Sequence, residues 1–288
     1  MRIKHYLTGI IFCLLIAACN DKEDTMRTTG IEGIAKTSLS KIQLSETRHD
    51  DAQAVTITQS YVFFPSGWLQ SHSTIQSYMA IEEDIKQENI TDIVYTDHRA
   101  TITDDFGNIS TYILNDKGYA TVCTRQEAGG RTRTYTFSYL TDTKNNKSYL
   151  TNITEIQEDG TTYASIDIDC NDLHSLRITW KVDASYEQAY TATTISSGNE
   201  TANLSEIPIL FLSELYPLSL HPAALYGKIL GEPLPALTAQ IIPDGNAESK
   251  EIVSYSYTTD ERGIVTSCKE VTNSYGKNYV RTINYTIE

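Results

Sequence analysis

The sequence is poor in the residues that define several common protein classes. Its 288 residues include only 5 cysteines, 7 prolines and 2 tryptophans, and its apolar runs are short. A disulfide scaffold carries more than about 8–10% cysteine, and a membrane-spanning helix needs about 20 consecutive apolar residues. Basic residues are also in deficit, since Lys and Arg number 23 against 37 Asp and Glu. A surface of this sign repels nucleic acid, so we predict no nucleic-acid partner.

The first 19 residues have the order of an export signal. Two basic residues open the chain, an apolar stretch covers residues 7–16, and small residues follow. Ile16-Ala17-Ala18-Cys19 resembles the lipobox of bacterial lipoproteins, in which a peptidase cleaves before a cysteine whose sulfur carries a diacylglycerol. The resemblance implies a signal peptide at residues 1–18 and lipidation of Cys19, which would anchor the protein to a membrane. The alternative is an ordinary secretory signal that ends by chance at a cysteine.

The residues after Cys19 bear on location. Lys22-Glu23-Asp24 resembles the short signal of one Lys and two acids that sends Bacteroidota lipoproteins to the outer face of the outer membrane. The alternative is a solvated, charged tether. Because residues 1–18 hold two of the 23 bases and none of the acids, the mature chain has a net charge of −16. The lipobox and the triplet Lys22-Glu23-Asp24 together predict an outer-membrane lipoprotein that faces the cell exterior.

The mature chain divides into a polar start and a β-rich body. Residues 19–51 are polar and without sustained periodicity, which predicts a disordered tether. From residue 52 onward, runs with a period of two recur, as in residues 176–182 and 279–287. Such alternation is typical of strands with one packed and one solvated face. Turn signals such as Asn115-Asp116-Lys117-Gly118 and Asp260-Glu261-Arg262-Gly263 separate the runs. We predict about a dozen strands joined mostly by hairpins, in a single β-rich domain over residues 52–288.

One segment departs from this pattern. Residues 204–235 are rich in Leu and Pro, and six of the seven prolines lie between 208 and 243. Pro222 suits the first turn of a short helix that Gly231 would end. Such an apolar insert must be buried, and the hollow of a curved sheet is the natural place. We predict a mainly β fold: a large curved antiparallel sheet, either a half-barrel or a soluble barrel, with a short Leu/Pro-rich helical insert.

Several phrases resemble a known family. The hairpin Leu114-Asn115-Asp116-Lys117-Gly118-Tyr119, the Leu/Pro segment and the closing strand Tyr255-Ser256-Tyr257 are similar to a family of uncharacterised Bacteroidales lipoproteins described as having a porin-like fold. The resemblance spans residues 75–288 and implies a large curved antiparallel sheet on a bacterial envelope. No catalytic motif defines the family, so it implies no functional residue. The polar second faces of the strands are unlike the apolar outer band of a transmembrane barrel.

Patterns for catalysis or metal binding are mostly lacking. Ser38-Leu39-Ser40-Lys41 matches the Ser-x-x-Lys motif of penicillin-binding enzymes, but it lies in the predicted tether and lacks the partner motifs. The acidic run at residues 167–172 resembles a calcium loop, but its twelfth position is Ile178 rather than Glu. We predict a strand end and turn there. No catalytic residue, metal or cofactor is predicted, and the protein is expected not to be an enzyme.

The remaining candidates are single side chains. Trp180 alternates with apolar neighbours and is predicted to be in the core, whereas Trp68 follows a loop and fits either the core or a ligand site. The histidines are interpreted as surface or turn residues: His49, His72, His98, His174 and His221. At most one disulfide can form among Cys123, Cys170 and Cys268.

Three functions remain open. The first is a non-catalytic binding module in which the sheet and the insert enclose an apolar or glycan ligand. The second is a structural or interaction protein of the cell surface, in which the insert is only a core plug. The third and most distant is a hydrolase whose carboxylates or histidines converge only in the fold.

Overall fold

The computed structural model describes residues 28–29, 36–50, 53–79, 84–183, 185–195, 203–208, 218, 220–245 and 251–288. Strands dominate these residues, and one short helix, α1 (Ala223–Tyr226), lies between the thirteenth and fourteenth strands. The strands are β1 (Thr28–Thr29), β2 (Lys41–Asp50), β3 (Gln53–Phe63), β4 (Leu69–Met79), β5 (Asp84–Thr96), β6 (Arg99–Thr103), β7 (Ile109–Leu114), β8 (Ala120–Gln126), β9 (Thr132–Asp142), β10 (Lys147–Ile156), β11 (Thr162–Asp169), β12 (Ser175–Val182), β13 (Tyr186–Thr194), β14 (Thr238–Pro243), β15 (Ile252–Thr259), β16 (Val265–Ser274) and β17 (Lys277–Ile287).

Strands β2 to β17 form a closed antiparallel barrel. Each strand pairs with its neighbours in sequence, and the circle closes where Tyr285 of β17 lies opposite Leu44 of β2. Strands β13 and β14 pair directly although the insert separates them, with Ala192 opposite Ile241. The short β1 adds a parallel pairing to β5. The mainly β, antiparallel prediction is confirmed, but the half-barrel alternative is wrong because β17 finds a partner in β2.

The predicted tether over residues 19–51 is wrong for its second half. Residues 41–50 form β2, and the preceding segment packs on the barrel, where Ser40 N donates to Glu288 O at 2.8 Å. Only Ile42 and Leu44 of β2 are buried apolar residues. An apolar pattern of this length is too short to predict a strand from the sequence. The export signal, Cys19 and the start of the tether lie outside the described residues.

Apolar and aromatic side chains point into the barrel. On β12, Leu176 and Ile178 are buried, whereas Arg177 between them is exposed. On β9, Tyr135 and Phe137 are buried on the same face. The hydrophobic core therefore lies inside the barrel, as expected where successive residues of a strand alternate between the two faces.

The insert crosses the lumen at one end of the barrel, which we call the plugged end. Its backbone forms hydrogen bonds with two strands of the barrel: Ile229 O accepts from Ala120 N of β8, and Glu232 N donates to Ser148 O of β10. The predicted helix from Pro222 to Gly231 is too long. Helix α1 ends at Tyr226, and Lys228 takes a left-handed φ of 54°, which turns the chain so that the following residues reach β8 and β10.

The candidate site is a cavity inside the barrel

A cavity of about 530 Å³ lies inside the barrel, within the range of small-molecule sites. Strands β2, β3 and β12 to β17 form its walls, and Pro222 and Tyr226 of the insert form its floor. Arg48, near the end of β2, has a side chain that is 59% exposed. Glu251, just before β15, is also exposed. These two residues mark the mouth of the cavity, at the end of the barrel opposite the insert.

One wall of the cavity carries charge. Glu46 of β2 is 10% exposed and accepts from Arg48 Nε at 2.8 Å, and Arg281 Nη2 of β17 lies 2.8 Å from its other oxygen. Arg281 Nη1 also lies 3.8 Å from Glu270 of β16. Burial favours a higher pKa for Glu46, but the hydrogen bonds and charges of the two guanidinium groups hold this pKa below its ordinary value. Glu46 is therefore ionised at neutral pH.

The opposite wall and the floor are aromatic. Trp180 of β12 and Tyr190 of β13 meet edge to face, with ring centroids 6.0 Å apart. On the floor, Tyr226 stacks on Tyr61 of β3 at 4.0 Å. The prediction that Trp180 belongs to the packed core is wrong in part: it points inward, but it is half-buried and lines the cavity. An inward-facing residue has the same sequence pattern whether the lumen beside it is filled or empty.

The fold brings together two histidines that the sequence analysis assigned to surface or turn positions. His72 Nδ1 lies 3.0 Å from Thr91 Oγ1, which lies 3.3 Å from His221 Nε2. Because Ala223 N donates to His221 Nδ1, the Nε2 atom of His221 carries its proton and points to Thr91. Burial lowers the pKa of His72 to about 3 and that of His221 to about 4. These residues fix the insert to β4 and β5 as neutral groups.

A buried ionic cluster joins the insert to the segment before β2. Lys228 Nζ lies 3.0 Å from Glu206, 3.3 Å from Glu232 and donates to Lys36 O at 2.6 Å. Lys36 Nζ in turn lies 3.6 Å from the centre of the Tyr119 ring. Burial lowers the pKa of Lys36 to about 7, against the attraction of Glu232 and with the help of the Lys228 charge. This cluster ties the insert to the segment before β2 at the plugged end.

The other residues that the sequence singled out as possible functional residues lie in the core, in strands or in turns. Trp68 is fully buried, with its ring 4.9 Å from that of Tyr95, so it belongs to the core. Lys41 begins β2, so the Ser-x-x-Lys match lies on no helix. The acidic run ends β11 and enters a turn, as predicted. The three cysteines of the described chain are buried and unpaired.

Two classes of feature are not found in the part of the chain that the structure describes. No group of three His, Cys, Asp or Glu side chains there is arranged to hold a metal ion. No helix there is long and apolar enough to cross a membrane.

Comparisons with known proteins identify a similar solved structure and a family. A comparison with curated proteins found no match. The crystal structure of a porin-like protein from Bacteroides uniformis ATCC 8492 is 50% identical, with a TM-score of 0.83 over 91% of this chain and 100% of that chain. The crystal structure of a porin-like protein from Bacteroides vulgatus ATCC 8482 is 11% identical over 86% of this chain and 97% of that chain. Its TM-score of 0.28 is too low to indicate a shared fold. The model of a family described as "Domain of unknown function (DUF4595) with porin-like fold" matches residues 63–267, and the chain belongs to this family.

Proposed function

We propose that this protein is a lipid-anchored lipoprotein of the bacterial envelope and a non-catalytic binding module. Its cavity binds a small ligand, either apolar or a glycan. A lipid on Cys19 attaches the protein to the membrane. The observation that carries this proposal is the cavity of about 530 Å³ that the insert leaves open inside the barrel. A lumen needed only for stability would be filled to the density of a protein core.

The tyrosines inside the barrel and the polar outer face of β12 support a barrel that stands in water beside the outer membrane. A transmembrane barrel has an apolar outer band and aromatic girdles. Here tyrosines such as Tyr61, Tyr95 and Tyr112 are buried inside, while the outward positions of β12 are Arg177, Thr179 and Lys181. The insert also crosses the lumen, so the porin-like fold is proposed to serve without a pore. The triplet Lys22-Glu23-Asp24 supports exposure to the cell exterior.

The charged wall bears on the hydrolase alternative. Glycoside hydrolysis uses a pair of carboxyl groups, one of which is protonated to act as an acid. Glu46 is held ionised by Arg48 and Arg281, so it is unsuited to donate a proton. This supports binding rather than catalysis.

A structural or interaction role is the second candidate. The observation that favours it is the burial of the insert, whose residues Ala223, Ala224 and Ile229 have no exposed surface. An insert of this kind stabilises the barrel whether or not a ligand binds above it. Ligand binding in the cavity therefore decides between the two functions.

The decisive experiment fills the cavity from one strand. Thr272 of β16 lines the cavity, and Thr282 of β17 faces outward and is exposed. We expect Thr272→Trp to lose at least tenfold in ligand affinity because the indole occupies the site, and Thr282→Trp to retain it. Native mass spectrometry of gently purified protein would identify co-purifying lipids, and glycan arrays would identify sugars. Retention of the same ligand by folded Thr272→Trp would contradict the cavity as the site. Absence of any ligand from the wild-type protein would favour the structural role.

A further inference from the structure

We infer that the cavity selects an uncharged saccharide, rather than an acyl chain or an anionic ligand. This inference rests on the proposed binding function and names the class of its ligand. Three features of the cavity carry it: the charges along one wall, the pairing of its cations, and the aromatic faces opposite.

The charged wall disfavours an acyl chain. Glu46, Arg281 and Glu270 lie on the three neighbouring strands β2, β17 and β16, with Arg281 directly opposite Glu270 in the sheet. An acyl chain laid against them would separate ionised groups from water and give them no hydrogen bond in return, which is unfavourable. A ligand rich in hydroxyl groups replaces that water and keeps these groups hydrogen-bonded.

The balance of charge disfavours an anion. The described lining contains three carboxylates, Glu46, Glu251 and Glu270, against the two guanidinium groups of Arg48 and Arg281. Both cations already pair with Glu46. A ligand carboxylate or phosphate would have to break these pairs, inside a cavity whose lining carries a net negative charge.

The aromatic side suits a sugar ring. Trp180 and Tyr190 on one wall, with Tyr226 on the floor, provide flat apolar surfaces. A sugar ring has one face of C–H groups and a rim of hydroxyl groups. It can therefore pack on such a surface while its hydroxyl groups donate to Glu251 at the mouth or to Glu270 on the wall.

The chain contains its own reporter for this test. It has only two tryptophans; Trp68 is fully buried and packs against Tyr95, whereas Trp180 lines the cavity. Ligand binding should change the emission of Trp180 and should leave Trp180→Phe without a response. The probes are neutral hexosides, N-acetylhexosamines and disaccharides, glucuronate as the anionic sugar, and palmitate as the acyl chain, each also titrated by calorimetry.

We expect at least one neutral saccharide to bind ten times more tightly than glucuronate and palmitate. Glu270→Gln should reduce the difference in affinity between the neutral saccharide and glucuronate about tenfold, because it removes one negative charge from the wall of the cavity. The matched control is Glu187→Gln, an exposed residue of β13 that pairs with Lys181 at 3.8 Å on the outer face; it should change neither affinity.

The outcomes separate this inference from the proposed function. Tighter binding of palmitate or glucuronate in the cavity would overturn the saccharide inference and keep the binding module. No response of Trp180 to any probe, with no heat of binding, would overturn both. Equal effects of Glu270→Gln and Glu187→Gln on glucuronate would overturn the argument from charge.

Discussion

At the scale of single residues, the buried histidines His72 and His221 make the stability of the barrel depend on pH. Burial lowers the pKa of His72 to about 3 and that of His221 to about 4, from an ordinary value of 6.5. In the unfolded chain both histidines take up a proton below pH 6.5, whereas in the folded chain they stay neutral until more acidic pH. The free energy of unfolding should therefore be greatest above pH 6.5 and fall between pH 6.5 and 4. Each histidine contributes at most about 1.4 kcal/mol per pH unit.

This dependence can be measured by urea denaturation at several pH values. The variant His72→Gln should lose less stability than the wild type between pH 7 and 4.5, because it lacks one of the protons taken up on unfolding. The control is His98→Asn, in an exposed turn with a φ of 57° that Asn tolerates; it should follow the wild-type pH dependence. A His72→Gln protein with the wild-type pH dependence would contradict the assignment of a neutral, buried imidazole.

Residue positions were predictable from the sequence only as far as the face of a strand. The alternation around Trp180 correctly predicts that its side chain lies on the inner face of the sheet. Whether the lumen is filled beside Trp180 depends on the position of the insert, which is distant in the sequence. His72 and His221 are 149 positions apart in the chain, and no local pattern indicates that Thr91 would join them. Contacts that cross the lumen are set by tertiary packing, which periodicity does not encode.

At the scale of elements, one buried cation contributes to holding the insert in place. Lys228 is almost fully buried and contacts Glu206 and Glu232 at 3.0 and 3.3 Å. We expect Lys228→Met to lower the free energy of unfolding by about 3–5 kcal/mol, because it leaves the nearly buried Glu232 and the partly exposed Glu206 without their nearest cation. Chemical denaturation measures this loss. The control Lys181→Met removes an exposed cation 3.8 Å from Glu187 and should cost less than about 1 kcal/mol. Similar losses in both variants would show that the cluster does not fix the insert.

Hairpins were the elements that sequence reasoning located best. The turn Asn115-Asp116-Lys117-Gly118 joins β7 to β8, and Asp260-Glu261-Arg262-Gly263 joins β15 to β16. In each hairpin a tyrosine lies opposite a cysteine: Tyr112 with Cys123, and Tyr257 with Cys268. The helix was predicted too long because Pro222 and Gly231 mark its limits by propensity alone. Strand-like hydrogen bonds to β8 and β10 compete for the residues after Tyr226.

At the scale of the whole molecule, closure of the barrel could not be predicted from local patterns. Each strand pattern is satisfied equally by a curved open sheet and by a ring, and the difference lies in the pairing of β17 with β2. That pairing also brings the segment before β2 to the plugged end, beside Glu288. The chain therefore enters the barrel at the end opposite the cavity mouth. Attachment of the proposed tether at that end is compatible with the proposed saccharide site.

The lipid anchor is the prediction that concerns the molecule as a whole. Cys19 follows small residues at the end of the apolar segment that we predict to be an export signal, and the first residue with a described contact to the barrel is Thr28. Replacing Cys19 by Ser should therefore abolish incorporation of labelled palmitate. It should leave the melting temperature of the barrel unchanged, because the described hydrophobic core begins at Ile42. Replacing Lys22, Glu23 and Asp24 by Ala should keep the label and reduce cleavage by protease added to intact cells. Undiminished labelling of Cys19→Ser would refute the anchor, and unchanged cleavage of the triple variant would refute the outward-facing signal while leaving the anchor in place.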